Sequence, residues 1–449
     1  VSRAGASAAL LALGLAGCVA YTPAPPHPDR FVADVDARRL SPKMAPWSGA
    51  DLLAVAIAQN PQIVEARAKY VAALAAVKAA KAPQGPSLTL TAEYASETPH
   101  WGYTGAADVP LDYGARRSTR IDTARLQALQ AWYDLGEAIW SVRTDLEKAR
   151  GDLLAATQEI ALARQDADLR RRRFERMERR VAAGLDARSV AIQAQTDLVN
   201  AERRLAAAQG RLDAAQTALA KALGVSPTAV KGLGFAPPTE APLLTDLPTW
   251  RRDAALSRRD VLRAVADYDI AEDALRLQVA QQYPALSIGP AYQYDHGISK
   301  YPVSVGLALP PWDLNKGQIA QAEKARAAAG RTLELTQANA LSAVDAAAAA
   351  YAVARGDAER TRTRDVPLAD RTAANTLRSA QAGETDRTDE LNARAAALDA
   401  RLAMNDAQHT LAGATADLED ALRRSFDPTE TALIEAEMAG SKPGSGRAK

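Results

Sequence analysis

Cysteine occurs once in the 449 residues, at position 18, so no disulfide can form within one chain. The four histidines, His27, His100, His296 and His409, are scattered without ligand spacing, and with four methionines they argue for no transition-metal site. Charge of one sign is also missing: 55 basic residues against 54 acidic ones leave a formal charge of +1, which speaks against a nucleic-acid partner. No P-loop, no glycine-rich dinucleotide turn and no Ser-His-Asp-type arrangement is present, so the sequence does not read as an enzyme and calls for no cofactor. Aromatic residues make up 5% of a chain that is 47% apolar, so the apolar content is mostly alanine and leucine. That balance suits long, closely packed helices better than a bulky globular core.

Long hydrophobic runs are scarce too. The N-terminal run Ala8 to Leu15, after Arg3, is too short to span a membrane as a helix and reads as a secretory signal over 1–17. It ends in Leu15-Ala16-Gly17-Cys18, which resembles the bacterial lipobox. That resemblance implies a covalent lipid on Cys18, and Val19 in the next position implies the outer membrane as destination. Residues 18–50 include Pro23, Pro25, Pro26 and Pro28 and are expected to form an extended tether.

What the chain has in plenty is repetition. Pro86-Ser87-Leu88 returns as Pro284-Ala285-Leu286 198 positions on, and Ala183-Gly184-Leu185 returns as Ala382-Gly383-Glu384 199 positions on. A near-constant offset at two unrelated landmarks implies internal duplication: repeat 1 over 51–226, a Pro-containing linker over 227–249, repeat 2 over 250–426, and a flexible tail over 427–449. Proline is absent from Leu111 through Ser226. In that interval Leu135, Ile139, Val142, Leu146, Ala149, Leu153, Ala156, Ile160, Ala163 and Ala167 alternate steps of four and three, and Phe174, Met177 and Val181 resume the register after Arg170. Such a repeat predicts a coiled-coil helix over about 115–182. Beyond Gly184, Leu198, Leu205, Leu212 and Leu219 recur every seven residues, each followed three positions later by alanine, which predicts a close antiparallel partner. Repeat 2 predicts helices near 317–381 and 387–424, the first kinked by Pro367. The basic run Arg170 to Arg173 with Arg176, Arg179 and Arg180 reads by default as a solvated face, or else as a contact patch for a partner.

Each repeat also holds strand-like segments: Ser87 to Tyr94, with a weak return near Ala106 to Tyr113, and Ala285 to Tyr294, with a return at Val303 to Leu309. Their alternation and length suit a transmembrane β-barrel. Four strands cannot close a barrel, and an open edge in lipid would leave backbone groups unpaired, so strands that span a membrane require several chains to share one barrel.

The plan resembles the TolC-type outer-membrane efflux factors. The residues that carry the likeness are Leu307-Ala308-Leu309-Pro310 and Trp312 through Ala322, which are similar to the family's strand-to-helix junction. Asn60-Pro61, with Arg259-Asp260 as its repeat partner, and the two Ala-Gly tips add to it. Asn315-Lys316-Gly317-Gln318-Ile319 is similar to the CzcC-like heavy-metal branch. The resemblance covers about 50–426. It implies a mainly α fold with a membrane β-barrel: long hairpins forming a periplasmic α-barrel, and four strands per chain in a trimeric twelve-stranded barrel. It also implies passive conduction from an inner-membrane pump through a periplasmic adaptor to the exterior. The adaptor would meet the tips at Gly184, Leu185, Gly383 and Glu384. An acidic pore ring near the second tip would fall on Asp389, with Asn392 in place of a second aspartate and Asp386 as a substitute charge. Organic drugs or a secreted polypeptide are the alternative cargoes. A reading from another class is a periplasmic coiled-coil lipoprotein acting as a spacer, with the strand-like stretches as short surface elements.

Overall fold

The computed structural model describes residues 21–40, 43–96, 98–111, 115–238 and 243–441. Cys18, its preceding lipobox residues and the segment 442–449 lie outside the described residues. The chain divides into two units, 1–39 and 40–449. In the first, α1 (Pro28–Ala37) is a helix, whereas an extended tether was expected. Pro28 sits in the first turn, where its missing N–H is not needed and its fixed φ suits helix entry.

The second unit opens with α2 (Gly49–Gln59), started by a capping box in which Ser48 and Asp51 satisfy one another's backbone N–H groups. Next come α3 (Pro61–Lys81), β1 (Ser87–Tyr94), β2 (Trp101–Pro110), α4 (Ala115–Ala182) and α5 (Arg188–Leu223). The same order then recurs as α6 (Leu247–Ser257), α7 (Arg259–Ala280), β3 (Ala285–Asp295), β4 (Ile298–Lys300), β5 (Val303–Ala308), α8 (Lys316–Arg360), α9 (Val366–Ala382) and α10 (Arg387–Leu422), closing with α11 (Pro428–Gly440). The helices α5 and α10 are both 36 residues long. At 68 residues and ~1.5 Å per residue, α4 is about 100 Å long.

All ten seam residues from Leu135 to Ala167 are buried, as are Ala201, Ala208, Ala215 and Ala222 on α5. Alanine is therefore the contact residue that lets α5 lie close along α4, while Leu198, Leu205 and Leu212 remain half-buried at the margin. Side by side, α3, α4, α7 and α8 form a strip next to the sheet, and α5, α4, α10 and α8–α9 form one beyond it. The two levels are joined end to end. Asn60 Nδ2 donates to the Ala222 carbonyl at 2.7 Å, and Arg258 Nη1 donates to the Ala421 carbonyl at 2.7 Å. The repeat partner of Asn60 is therefore Arg258, one position before the expected Arg259, because each cap must reach the last turn of the helix stacked beneath it. Left-handed residues end those lower helices, Gly224 (φ 72) and Arg423 (φ 51).

Two further expectations change. The linker does not hang free: it makes a 3-10 turn at Pro227–Ala229, buries Ala229 and Val230 in the main core, and pairs Gly234 and Ala236 with the backbone of Trp47. Nor is 427–449 a flexible tail throughout, since α11 buries Glu430, Ile434 and Met438. Glu430 Oε2 accepts from Arg143 Nε at 2.8 Å, and Glu419 lies 2.7 Å from Arg143 Nη2, so one buried guanidinium on α4 ties down both α10 and α11. Repeat 2 carries its irregularity in the helix that Pro367 enters: residues Thr361–Asp365 form a π turn just before it. A widened turn accommodates the missing donor of proline within an otherwise continuous rod.

Candidate functional site

The sheet positions one end of the candidate duct. β1 pairs with β2, β2 with β3, and β3 with both β4 and β5, all antiparallel, so β4 and β5 act as one return strand broken at Tyr301-Pro302. In repeat 1 the return strand is Trp101–Pro110, beginning five residues before the expected Ala106. Its glycine- and alanine-rich sequence hid the alternation.

Directly paired residues share a face, and the register sorts the four longer strands apart from Pro110, which pairs with Ser287, while the short β4 runs against it, with Ile298 opposite Asp295 and Ser299 opposite Tyr294. One face carries Leu88, Leu90, Ala92 and Tyr94, then Trp101, Tyr103, Gly105, Ala107 and Val109. It continues through Leu286, Ile288, Pro290, Tyr292 and Tyr294 to Val303, Val305 and Leu307. The other carries Ser87, Thr89, Thr91 and Glu93, then Thr104, Ala106 and Asp108, and Ser287, Gly289, Ala291, Gln293, Ser304 and Gly306. The apolar face is exposed at nearly every large residue, including Leu88, Leu90, Val303 and Val305. An exposed apolar face this regular matches a lipid-facing surface opposite a watered one. Aromatics gather at its distal end, where Tyr94 meets Trp101 edge-on at 5.1 Å and Tyr292 lies 5.5 Å from Tyr301. Tyr283 and Trp312 stand exposed at the helix end, giving an aromatic girdle at each margin. No helix among the described residues is long and apolar enough to cross a membrane.

The junction residues hold sheet to rod. Leu314 and Asn315 adopt left-handed conformations (φ 53 and 61), and Asn315 Nδ2 donates to the Gln278 carbonyl at 2.9 Å. The turn between β5 and α8 is thereby pinned to the last turns of α7. Asparagine suits the position because it tolerates this backbone and supplies the donor.

At the far end, Gly184 (φ 73) and Gly383 (φ 78) close α4 and α9 as left-handed caps. The amides of Leu185 and Glu384 donate to the carbonyls of Arg180 and Ser379 at 2.9 Å each. A Cβ at either glycine would meet nothing within 4 Å, so the constraint there is backbone conformation and not space. Leu185 and Glu384 are exposed at the two tips.

The arginine run near the first tip is partly a solvated face, with Arg171, Arg172 and Arg179 exposed, and partly paired. Arg170 bonds Asp166 at 2.9 Å, Arg173 bonds Asp197 at 2.6 Å, and Arg176 and Arg180 reach Asp386 on the second hairpin at 2.7 and 3.0 Å. Arg180 also holds Asp186 at 2.5 Å. Asp386 in addition accepts from the Thr388 amide, capping α10, and this backbone bond together with Arg176 holds its carboxyl below the usual carboxylate range. Within this chain the carboxylate expected as a substitute pore charge is thus paired with two guanidinium groups from the first hairpin. Asp389 and Asn392 lie one turn apart on the exposed face of α10, while Glu390 between them is buried beside Arg387 (2.8 Å) and Arg394 (2.6 Å). Above the tips the two hairpins are joined by cross-pairs between α4 and α10: Glu137 with Arg423, Thr144 with Asp420, Lys148 with Asp417 and Asp152 with His409. Spacing alone did not reveal this antiparallel ladder, because its partners lie some 257 to 286 residues apart. No group of three or more His, Cys, Asp or Glu suited to a metal ion occurs among the described residues.

Comparison with known proteins agrees with this geometry. Residues 52–225 match the family model described as Outer membrane efflux protein. No curated protein matches the sequence. Among solved structures, the chain is similar to the outer membrane protein VceC of Vibrio cholerae (18% identity, 84% of this chain and 97% of that one, TM-score 0.69). It is likewise similar to the CmeC outer membrane channel of Campylobacter jejuni (14%, 88% and 90%, 0.71) and to the MtrE outer membrane channel of Neisseria gonorrhoeae (17%, 85% and 90%, 0.68). A continuous antiparallel sheet joining strands of both repeats is more than the short surface elements that the spacer alternative expects. The match to the outer membrane efflux protein model thus falls on the first repeat, and the chain as a whole has the fold of these outer-membrane channel structures.

Proposed function

We propose that three copies of this chain close into one tube that conducts solutes passively across the outer membrane from an inner-membrane pump and a periplasmic adaptor. The observation that carries this reading is the sheet: apolar on one face, polar on the other, and unpaired at both edges within the chain. In lipid those edges require strands from neighbouring chains. The helical strip has the same incompleteness, with α5 at one margin and α8–α9 at the other. Duplication supplies a rule for closing it. Since α10 of repeat 2 packs on α4 of repeat 1, α5 packs in the equivalent way on α8–α9 of the next chain.

In this tube Cys18 carries the lipid anchor, the tips at Gly184 and Gly383 meet the adaptor, and Asp389 with Asn392 faces the narrow end of the pore. One exposed carboxylate per chain, brought together about the axis, favours cations. The CzcC-like junction Asn315-Lys316-Gly317-Gln318-Ile319 supports heavy-metal cations as cargo, and a duct needs no resident metal site to pass them. Reconstitution into planar bilayers tests the channel: discrete cation-selective conductance from a trimer is expected, and a soluble monomer after Cys18→Ala would overturn it. Asp389→Ala is expected to lower cation selectivity, and unchanged selectivity rejects the gate role. A deletion strain sensitive to divalent metals supports the metal cargo; one sensitive only to dyes and antibiotics replaces it with drug efflux.

A further inference from the structure

Where the sheet meets the rods, α4 begins beside the ends of α3 and α7, and its first two turns carry Arg116, Arg117 and Arg120. Each side chain donates to the end of a neighbouring segment: Arg117 to the Lys81 carbonyl at 3.2 Å, Arg120 to that of Ala80 at 3.1 Å, and Arg116 to that of Tyr283 at 2.7 Å. Lys78 and Lys81 close α3 at the same level and are exposed. The collar is thus rich in cations just below the girdle residue Tyr283.

Between α4 and α7 this collar opens into a cavity of about 570 Å³. One wall is a stripe of α7, Leu275, Val279 and Ala280, continued by Tyr283 and Pro284. Pro284 shares the parity of Leu286 and Ile288, so this wall runs on from the apolar face of the sheet. Arg276 at the mouth is held by Asp273 at 3.1 Å, and Glu272 by Arg326 at 2.8 Å. Arg116 has no carboxylate partner among the described residues, although it lies half-buried against an apolar wall. A cation placed so, at the margin of a lipid-facing surface, complements a phosphate whose hydrocarbon lies in the same plane.

We propose that this slot binds one anionic phospholipid of the periplasmic leaflet, with its phosphate on Arg116 and one acyl chain along Leu275, Val279 and Tyr283. The inference rests on the reading that the sheet crosses the bilayer. Lysine and arginine at an anionic surface each contribute about fivefold in affinity, and the neighbouring Lys78 and Lys81 raise the local potential further.

The test uses the full-length protein reconstituted in vesicles of phosphatidylcholine with about one fifth phosphatidylglycerol, the lipids retained after extraction being counted by native mass spectrometry. Wild type is expected to retain phosphatidylglycerol over phosphatidylcholine by about fivefold or more, Arg116→Gln to lose that preference, and Arg116→Lys to keep most of it. Ala280→Trp, which fills the slot and leaves the arginine in place, is expected to abolish retention of either lipid; it decides the matter should Arg116→Gln fail to assemble. Equal retention of the two lipids by wild type, or an unchanged preference in Arg116→Gln, overturns the site. Parallel conductance measurements separate the two readings: a channel that conducts without lipid preference refutes only the slot, whereas a protein that never inserts refutes both.

Discussion

The duplicated plan makes a quantitative statement about a contact that no single chain contains. Leu169 on α4 is 8% exposed, in a cluster with Leu391 and Leu398 of α10. The residue 199 positions on from Leu169 is Leu368 on α9, and it is 59% exposed; the residues 199 positions before Leu391 and Leu398 are Ile192 and Val199 on α5, exposed by 56% and 39%. If successive chains pack as successive repeats do, Leu368 of one chain is buried against Ile192 and Val199 of the next. Full burial of such a side chain stabilises by roughly 1.5–3 kcal/mol, so moving Leu368 and Ile192 from about half exposed to the level of their repeat mates contributes about 1 kcal/mol each, and Val199 about half that. Each of three interfaces then gains about 2–3 kcal/mol from this patch alone. Leu368→Asp removes its share and places a charge where an apolar contact is needed, so a trimer stable in mild detergent is expected to dissociate at lower detergent or temperature, with monomer helicity by circular dichroism unchanged. In a Cys18→Ser background, Leu368→Cys with Val199→Cys is expected to give covalent trimers with a short thiol cross-linker. Cross-links confined to the single chain, or a Leu368→Asp trimer as stable as wild type, would refute the transfer of repeat geometry to the chain interface.

Other outcomes follow from the single chain. Asp386→Ala removes a helix cap that contributes about 1 kcal/mol and releases Arg176 and Arg180, so single-channel recordings are expected to show more open time at neutral pH. Because the folded carboxyl titrates below its ordinary value, the contribution of the Asp386 contact with Arg176 and Arg180 is complete above about pH 4 and is lost as pH falls through the folded value, so wild type should approach the mutant only in strong acid; convergence at pH 6 would contradict the assignment. Glu430→Ala leaves the buried Arg143 with Glu419 as its remaining acid and is expected to cost about 3 kcal/mol in denaturant unfolding, with α11 cleaved first by protease; a loss under about 1 kcal/mol would mean the pair is not what holds α11. Gly224→Ala puts a Cβ 2.8 Å from the Gln59 carbonyl at φ 72 and is expected to lower the melting temperature, whereas Gly184→Ala, with open space around it, should be milder; equal effects would assign both losses to φ alone.

Legibility from sequence divides along a physical line. Periodic signals were readable: the expected helix over about 115–182 is α4 at Ala115–Ala182, and the strand Ser87 to Tyr94 is β1, because a sustained seam or a clean alternation is a local consequence of burial. The described stretches that differ from expectation, Pro28–Ala37, Pro227–Ala229 with the residues after it, and Pro428–Gly440, each begin with proline and have little period. Their order comes from distant partners such as Trp47 for Gly234 and Ala236, and Arg143 for Glu430. Position in the repeat was readable for the tips, yet the fate of their charges was not. Asp386 and Asp389 differ by three positions and share a helix turn, and only the approach of Arg176 and Arg180 from the other hairpin distinguishes a paired carboxylate from an exposed one. The two repeats also differ in their rods. Copy one keeps an unbroken α4 rod from the sheet to its tip, whereas copy two interrupts its rod with the π turn before Pro367 and carries Asp389 beyond it. The Arg176–Asp386–Arg180 contact ties this interrupted hairpin to the unbroken one next to the tips, and the ladder from Asp152–His409 to Glu137–Arg423 ties them again further along.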